Sequence, residues 1–243
     1  MQKNSFFIII VVTCLIFISC KKQDDFSSAS ISDYYPLEVG KYITYNLDSN
    51  VFINFNKKDT VIKYQIQDRV DSQLVDNTGR PVYMIHRFIR KNATQPWSPN
   101  NTFMAVPTEN SLEFVENNLR YIKLKIPITE GFTWHGNSYI DSYSLNSDLK
   151  YLADWEYTYD SLNAILNLGS ITVDSTIRVA QRDEFLGQDP KIPGTQYAEK
   201  NFSVEKYAKG IGLVFKEFTH WEYQGVDASY TGYGVKLTMI DHN

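Results

Sequence analysis

Val61-Ile62-Lys63-Tyr64-Gln65-Ile66-Gln67 is the stretch on which the fold turns. Ile62, Tyr64 and Ile66 alternate with Lys63, Gln65 and Gln67. Successive side chains of a strand point to opposite faces, so this period of two places the apolar set on one side and the polar set on the other. An antiparallel strand with one buried and one wet face is predicted.

The same grammar recurs on both sides. Upstream, Ile43, Tyr45 and Leu47 alternate with Tyr42, Thr44 and Asn46. Asp76-Asn77-Thr78-Gly79-Arg80-Pro81 reads as a turn, because Asn and Gly tolerate positive φ. Strand pattern resumes over residues 82–90, and residues 92–101 form a Pro-rich loop around Trp97. Over residues 121–126 the alternation predicts Ile122, Leu124 and Ile126 inside, with Tyr121, Lys123 and Lys125 outside. Further strands are predicted at 154–160, 171–179, 202–207, 213–223 and 235–240. Residues 145–153 stay open, with Ser147 suited to cap a short helix. About ten strands at near-regular spacing predict an all-β antiparallel domain over residues 33–243. A barrel or strongly curved half-barrel comes first and a β-sandwich is the alternative, with at most one or two short helices.

Composition agrees. Among 243 residues there are 17 Tyr, 14 Phe and 4 Trp, types that fit half-buried pleated surfaces. A hydrophobic content of 43% suffices for a real core. The net charge of −4, with no block of Lys or Arg, excludes a nucleic-acid-binding face.

The first twenty residues read differently. Lys3 precedes an apolar run of 13 residues, 6–18, broken only by Thr13 and Cys14. That is the charge-then-apolar order of a secretory signal. It is too short to cross about 30 Å of hydrocarbon comfortably as a helix. Phe17-Ile18-Ser19-Cys20 resembles a lipobox, with Phe17 where Leu is commoner. The resemblance implies a signal peptide over 1–19 and lipid on Cys20. Two or three acyl chains there would anchor the chain stably. Residues 20–32 form the lipidated cysteine and a small polar tether. Within it, Lys21-Lys22-Gln23-Asp24-Asp25 resembles the surface-export signal of Bacteroidota lipoproteins. With Cys14 in the signal and Cys20 lipidated, no thiol remains for a disulfide, a metal site or a nucleophile.

Two stretches are similar to an uncharacterised group of Bacteroidota outer-membrane lipoproteins. They are Tyr35-Pro36-Leu37-Glu38-Val39-Gly40 and Tyr207-Ala208-Lys209-Gly210-Ile211-Gly212-Leu213-Val214-Phe215-Lys216-Glu217. The resemblance implies a single β domain behind a lipidated cysteine and brings no catalytic residue with it. Within the chain, Pro36-Leu37-Glu38-Val39-Gly40 is echoed 91 residues later by Pro127-Ile128-Thr129-Glu130-Gly131. Either the domain contains a duplication, or the two copies share one turn grammar before a strand; the second reading is favoured because the flanks do not align.

Catalytic motifs are absent. There is no G-x-S-x-G, H-E-x-x-H, P-loop or dinucleotide fingerprint. The four histidines, His86, His135, His220 and His242, show no metal-ligand spacing. The densest polar cluster is Asp154-Trp155-Glu156-Tyr157-Thr158-Tyr159-Asp160. Asp154, Glu156 and Asp160 on one face are candidate ligands for Ca²⁺ or acids for glycoside hydrolysis. The plainer reading makes them a solvated face over core aromatics. Trp97, Trp155, Tyr157 and Tyr159 are candidate ligand-binding rings. The functional expectation is an envelope-anchored, non-catalytic lipoprotein, displayed inside or outside the outer membrane. It would bind lipid, glycan or an envelope protein and take no cofactor. A carboxylate-based envelope hydrolase is the alternative.

Overall fold

The computed structural model describes residues 29–243. The signal segment, Cys20 and most of the tether lie outside those residues. A one-turn helix, α1 (Ile31–Tyr34), precedes twelve strands. These are β1 (Tyr42–Ile53), β2 (Lys58–Val75), β3 (Pro81–Arg90), β4 (Ser98–Pro107), β5 (Ser111–Glu116), β6 (Leu119–Lys125), β7 (Thr133–His135), β8 (Glu156–Asn167), β9 (Thr172–Gly187), β10 (Tyr197–Ala208), β11 (Gly212–Gln224) and β12 (Ser229–His242). Where a helix was open, residues 145–153 hold only a 3-10 turn, Lys150–Leu152.

All twelve strands form one antiparallel sheet in the order β6-β5-β4-β3-β2-β1-β12-β11-β10-β9-β8-β7. Every strand pairs with its sequence neighbour except β6 with β7, and β1 pairs with β12. The sheet therefore curls into a nearly closed up-and-down barrel, and the sandwich alternative falls. Directly opposed residues share a face, so the register traces rows around the wall. One inner row runs Leu47, Leu237, Lys216, Glu205, Val179, Tyr159.

About eight strands already enclose a space that side chains just fill; twelve leave room over. This accounts for the main departure from the expected alternation. Lys123 was expected outside and points into the lumen, its side chain 9% exposed, because Glu205 on the far wall takes its charge at 2.6 Å. β6 slips register between Leu112 and Glu113, so Lys123 is an extra residue there, and the fully buried Leu124, opposite Leu112, keeps the inner face expected for it. Gln67, expected wet, is also buried, donating to Thr44 Oγ1 at 3.2 Å and accepting from Arg69 at 2.9 Å.

The barrel's one seam lies between β6 and β7, stitched by a backbone hydrogen bond and by side chains. Ile122 N–H donates to Gly136 O at 2.8 Å, and the Trp134 indole N–H donates to Ile122 O at 2.8 Å. One turn of pleat further on, the Tyr159 hydroxyl donates to Lys125 O at 2.8 Å and accepts Lys125 N–H at 3.0 Å. A tyrosine thus does the work of a strand neighbour, sparing β6 the cost of orphaned backbone groups.

The near end of the lumen is covered by the N-terminal segment. A capping box between Ser30 and Asp33 sets α1, and Gly210 N–H donates to Asp33 O at 2.7 Å. Tyr35 then packs on Phe114 and Tyr207, at centroid distances of 6.2 and 6.1 Å. The two sequence echoes occupy equivalent places. Gly40 (φ +96°) donates to Val70 O, and Val70 N–H returns to Lys41 O. Gly131 (φ +80°) donates to Tyr159 O, and Tyr159 N–H returns to Phe132 O. Each echo leads into the first strand of a run of six and bonds to the second. The likeness extends to Val70-Asp71-Ser72 and Tyr159-Asp160-Ser161, where both second strands carry a register shift. Shared turn grammar is thus accompanied by a shared position in each half.

Candidate binding cavity in the lumen

A belt of charge divides the lumen. Arg87 of β3 holds Asp68 of β2 by two hydrogen bonds, at 2.6 and 2.7 Å. Glu205, 1% exposed, accepts from Lys123 at 2.6 Å, Gln181 at 2.9 Å and the Tyr207 hydroxyl at 2.6 Å. Lys216 donates to Glu116 at 3.2 Å and lies 3.8 Å from Glu205. Three cations thus meet three carboxylates, and every carboxylate has partners, as buried charges require. Burial works against the charge of Glu116, but Lys216, Lys123 and Arg87 outweigh it and hold its carboxyl down to about 2. Burial likewise opposes ionised Glu205, and the two lysines again prevail and lower it. For Lys123 desolvation wins over Glu205 and the ammonium is pushed down; for Lys216 burial is outweighed by Glu116 and Glu205 and it is pushed up.

Beyond the belt, away from α1, lies a cavity of about 370 Å³. Its size falls in the range of small-ligand pockets, about 300–1,000 Å³. Leu47, Val235 and Leu237 supply aliphatic wall, and Tyr121, Tyr157 and Phe218 supply rings. Its mouth is covered by the long β7–β8 connection, residues 136–155, which brings Leu149, Tyr151, Leu152 and Trp155 over the lumen. Tyr151 stacks on His220 at 3.8 Å and 10°, fixing that cover to β11. On the α1 side of the belt lie a void of about 60 Å³, beside Tyr35, Ile43 and Leu213, and a groove of about 410 Å³ against α1, lined by Ile31, Tyr35, Leu112 and Ile126. β1 runs from that void (Ile43) to the large cavity (Ser49), so the chain enters the barrel at the end opposite the mouth.

Two of the four expected rings meet here. Trp155 and Tyr157, both buried, line the cavity, and Tyr157 donates to Asn137 at 2.9 Å. Tyr159, on the same face, serves the seam instead. Trp97 lies outside the lumen, with the Arg90 guanidinium 4.1 Å from its ring centre. Asp154, Glu156 and Asp160 are exposed. Asp154 accepts from Tyr143 at 2.7 Å, and Asp160 pairs with Arg178 of β9. Among the described residues no three His, Cys, Asp or Glu side chains are placed to hold a metal ion. The belt residues were not anticipated. The one trace in the sequence is Ser203, Glu205 and Tyr207, a polar set at period two in a strand whose other face carries Phe202 and Val204.

A wide antiparallel barrel with a covered, ring-lined lumen belongs to the class of β-barrels that have space for a guest inside. No family model matches the chain, and no curated protein sequence does. Among solved structures it is similar to a Bacteroides fragilis protein assigned to export and to a YmcC-like fold. That similarity has a TM-score of 0.37 and 11% identity, over 86% of this chain and 99% of that one.

Proposed function

We propose that this chain is a non-catalytic lipoprotein of the cell envelope, held to the outer membrane by lipid on Cys20, whose barrel carries a small amphipathic guest. The observation that carries the reading is the 370 Å³ ring-lined cavity, covered by residues 136–155 and bounded below by the charged belt. A hydrolase using paired carboxylates finds less support. Of the acidic residues, Glu116 alone lines this cavity, and it is engaged by Lys216. Entry of the chain at the α1 end suits a tethered carrier, since the mouth then faces away from the anchor.

The test uses the full chain purified from membranes in detergent. N-phenyl-1-naphthylamine is titrated in, and energy transfer from tryptophan is read; Trp155 in the wall is the near donor. Saturable transfer is expected, reduced at least fivefold by Val235→Phe, which fills the cavity. Absence of saturable transfer, or transfer indifferent to Val235→Phe, would remove the carrier reading.

A further inference from the structure

We infer that the guest has an anionic, oxygen-rich end, a carboxylate or phosphate, seated on Lys123 and Lys216 at the cavity floor. This rests on the carrier reading and adds the chemistry of the ligand. The argument is one of donors and acceptors. An ammonium has three N–H donors. Among the described residues Lys123 makes one hydrogen bond, to Glu205, and Lys216 makes one, to Glu116. Both side chains are largely buried, at 9% and 16% exposure, so bulk water does not freely satisfy the remaining donors.

Two of the three belt carboxylates are already engaged. Glu205 is sealed by Lys123, Gln181 and Tyr207. Asp68 is committed to both arms of Arg87 and lines only the void on the α1 side. Seen from the cavity, the floor shows Arg87, Lys123 and Lys216 against the single carboxylate of Glu116. Charge-assisted hydrogen bonds to an oxyanion are roughly twice as strong as neutral ones, and the enclosing rings keep water from screening them. A cationic end would meet that floor unfavourably. A neutral end would use the donors at about half the strength. The apolar body would rest against Tyr157, Phe218 and Val235.

The test compares two dyes on the full chain by tryptophan energy transfer. One is N-phenyl-1-naphthylamine; the other, 1-anilinonaphthalene-8-sulfonate, is the same skeleton bearing a sulfonate. The sulfonate is expected to bind at least tenfold more tightly. It should be displaced by decanoate or decyl phosphate, whichever head the floor accepts, and at least tenfold less well by decanol. In the double variant Lys123→Met/Glu205→Gln, which removes a matched pair of charges, the affinity ratio of the two dyes should fall towards one. Circular dichroism confirms that the variant is folded. If it is not, Lys216→Met serves the same comparison. Equal binding of the two dyes by the unaltered chain, or displacement by decanol as effective as by both decanoate and decyl phosphate, overturns the anionic end while leaving the carrier reading intact. Failure of both dyes to bind removes the two together.

Discussion

Replacing Tyr159 by Phe removes one oxygen from a fully buried ring and should unzip the seam of the barrel. That oxygen both donates to Lys125 O and accepts Lys125 N–H, at 2.8 and 3.0 Å. Its loss leaves two backbone groups at the end of β6 without partners. Each unsatisfied buried group costs about 1–3 kcal/mol. Relief from burying the hydroxyl itself recovers part of this, so the expected loss is about 2–4 kcal/mol. Tyr157→Phe is the internal control. Its hydroxyl makes one hydrogen bond, to the side chain of Asn137, and its loss should cost about 1 kcal/mol. Urea unfolding followed by tryptophan fluorescence gives both numbers, and amide hydrogen exchange locates them. Exchange should accelerate over residues 119–125 in Tyr159→Phe and stay slow in β1 and β12. If the two variants lose equal stability and β6 exchanges as in the unaltered chain, the hydroxyl is not a strand substitute and the seam is held by something else.

Other perturbations probe the belt, the wall and the anchor. Glu205→Ala strands Lys123 in the lumen and should cost about 3–5 kcal/mol in urea, whereas Glu205→Gln keeps acceptors for Gln181 and Tyr207 and should cost less. Acid should weaken the fold in a defined window. Glu116 is depressed to about 2 when folded, so the unfolded chain binds the extra proton first; its contribution is complete above the ordinary carboxylate value of 4.5 and is lost as pH falls through about 2. The urea midpoint measured between pH 7 and pH 2 should therefore drop mainly below about pH 4.5. Gly136→Ala would place a methyl 2.3 Å from the Tyr157 ring, so that ring must leave the cavity wall; lower stability and weaker dye binding are expected together by thermal melt and titration. Cys20→Ala should abolish palmitate labelling and release the protein from membranes or leave it unprocessed. Protease added to whole cells should digest the barrel if the run from Lys22 to Asp25 is an export signal.

The wall of the barrel was legible residue by residue and its interior was not. Ile66, Trp155, Tyr157 and Tyr159 are buried as the period of two requires, and Glu156 and Asp160 are wet. Alternation divides a strand into two faces but does not say that both are enclosed. In β6 it also presumes an unbroken register, and the pairing with β5 slips between Leu112 and Glu113, bringing Lys123 to the lumen face beside Leu124. A lysine inside is affordable only with Glu205 opposite, 82 positions away, and no local pattern encodes that distance. The seam was hidden for a related reason. Ile126-Pro127 to Phe132 reads like any turn between strands, yet β7 is only three residues long and leaves β6 mostly to side-chain partners. Within the cavity, Tyr157 could be named because a ring on a patterned strand stands out, and Trp155 because the alternation extends one residue ahead of β8. Leu149 and Tyr151 could not, because they reach the lumen from irregular chain.

The pairing of β1 with β12 joins strands that are almost the whole domain apart; Tyr42 N–H donates to Asn243 Oδ1 across 201 positions. During synthesis or export from the N-terminus, ring closure must therefore wait for the last strand to arrive. Until then β1 and β11 are raw sheet margins, open to pairing with any extended chain. A product lacking β12 would keep both margins for good, its β1 and β11 backbone groups bared where the finished ring hides them.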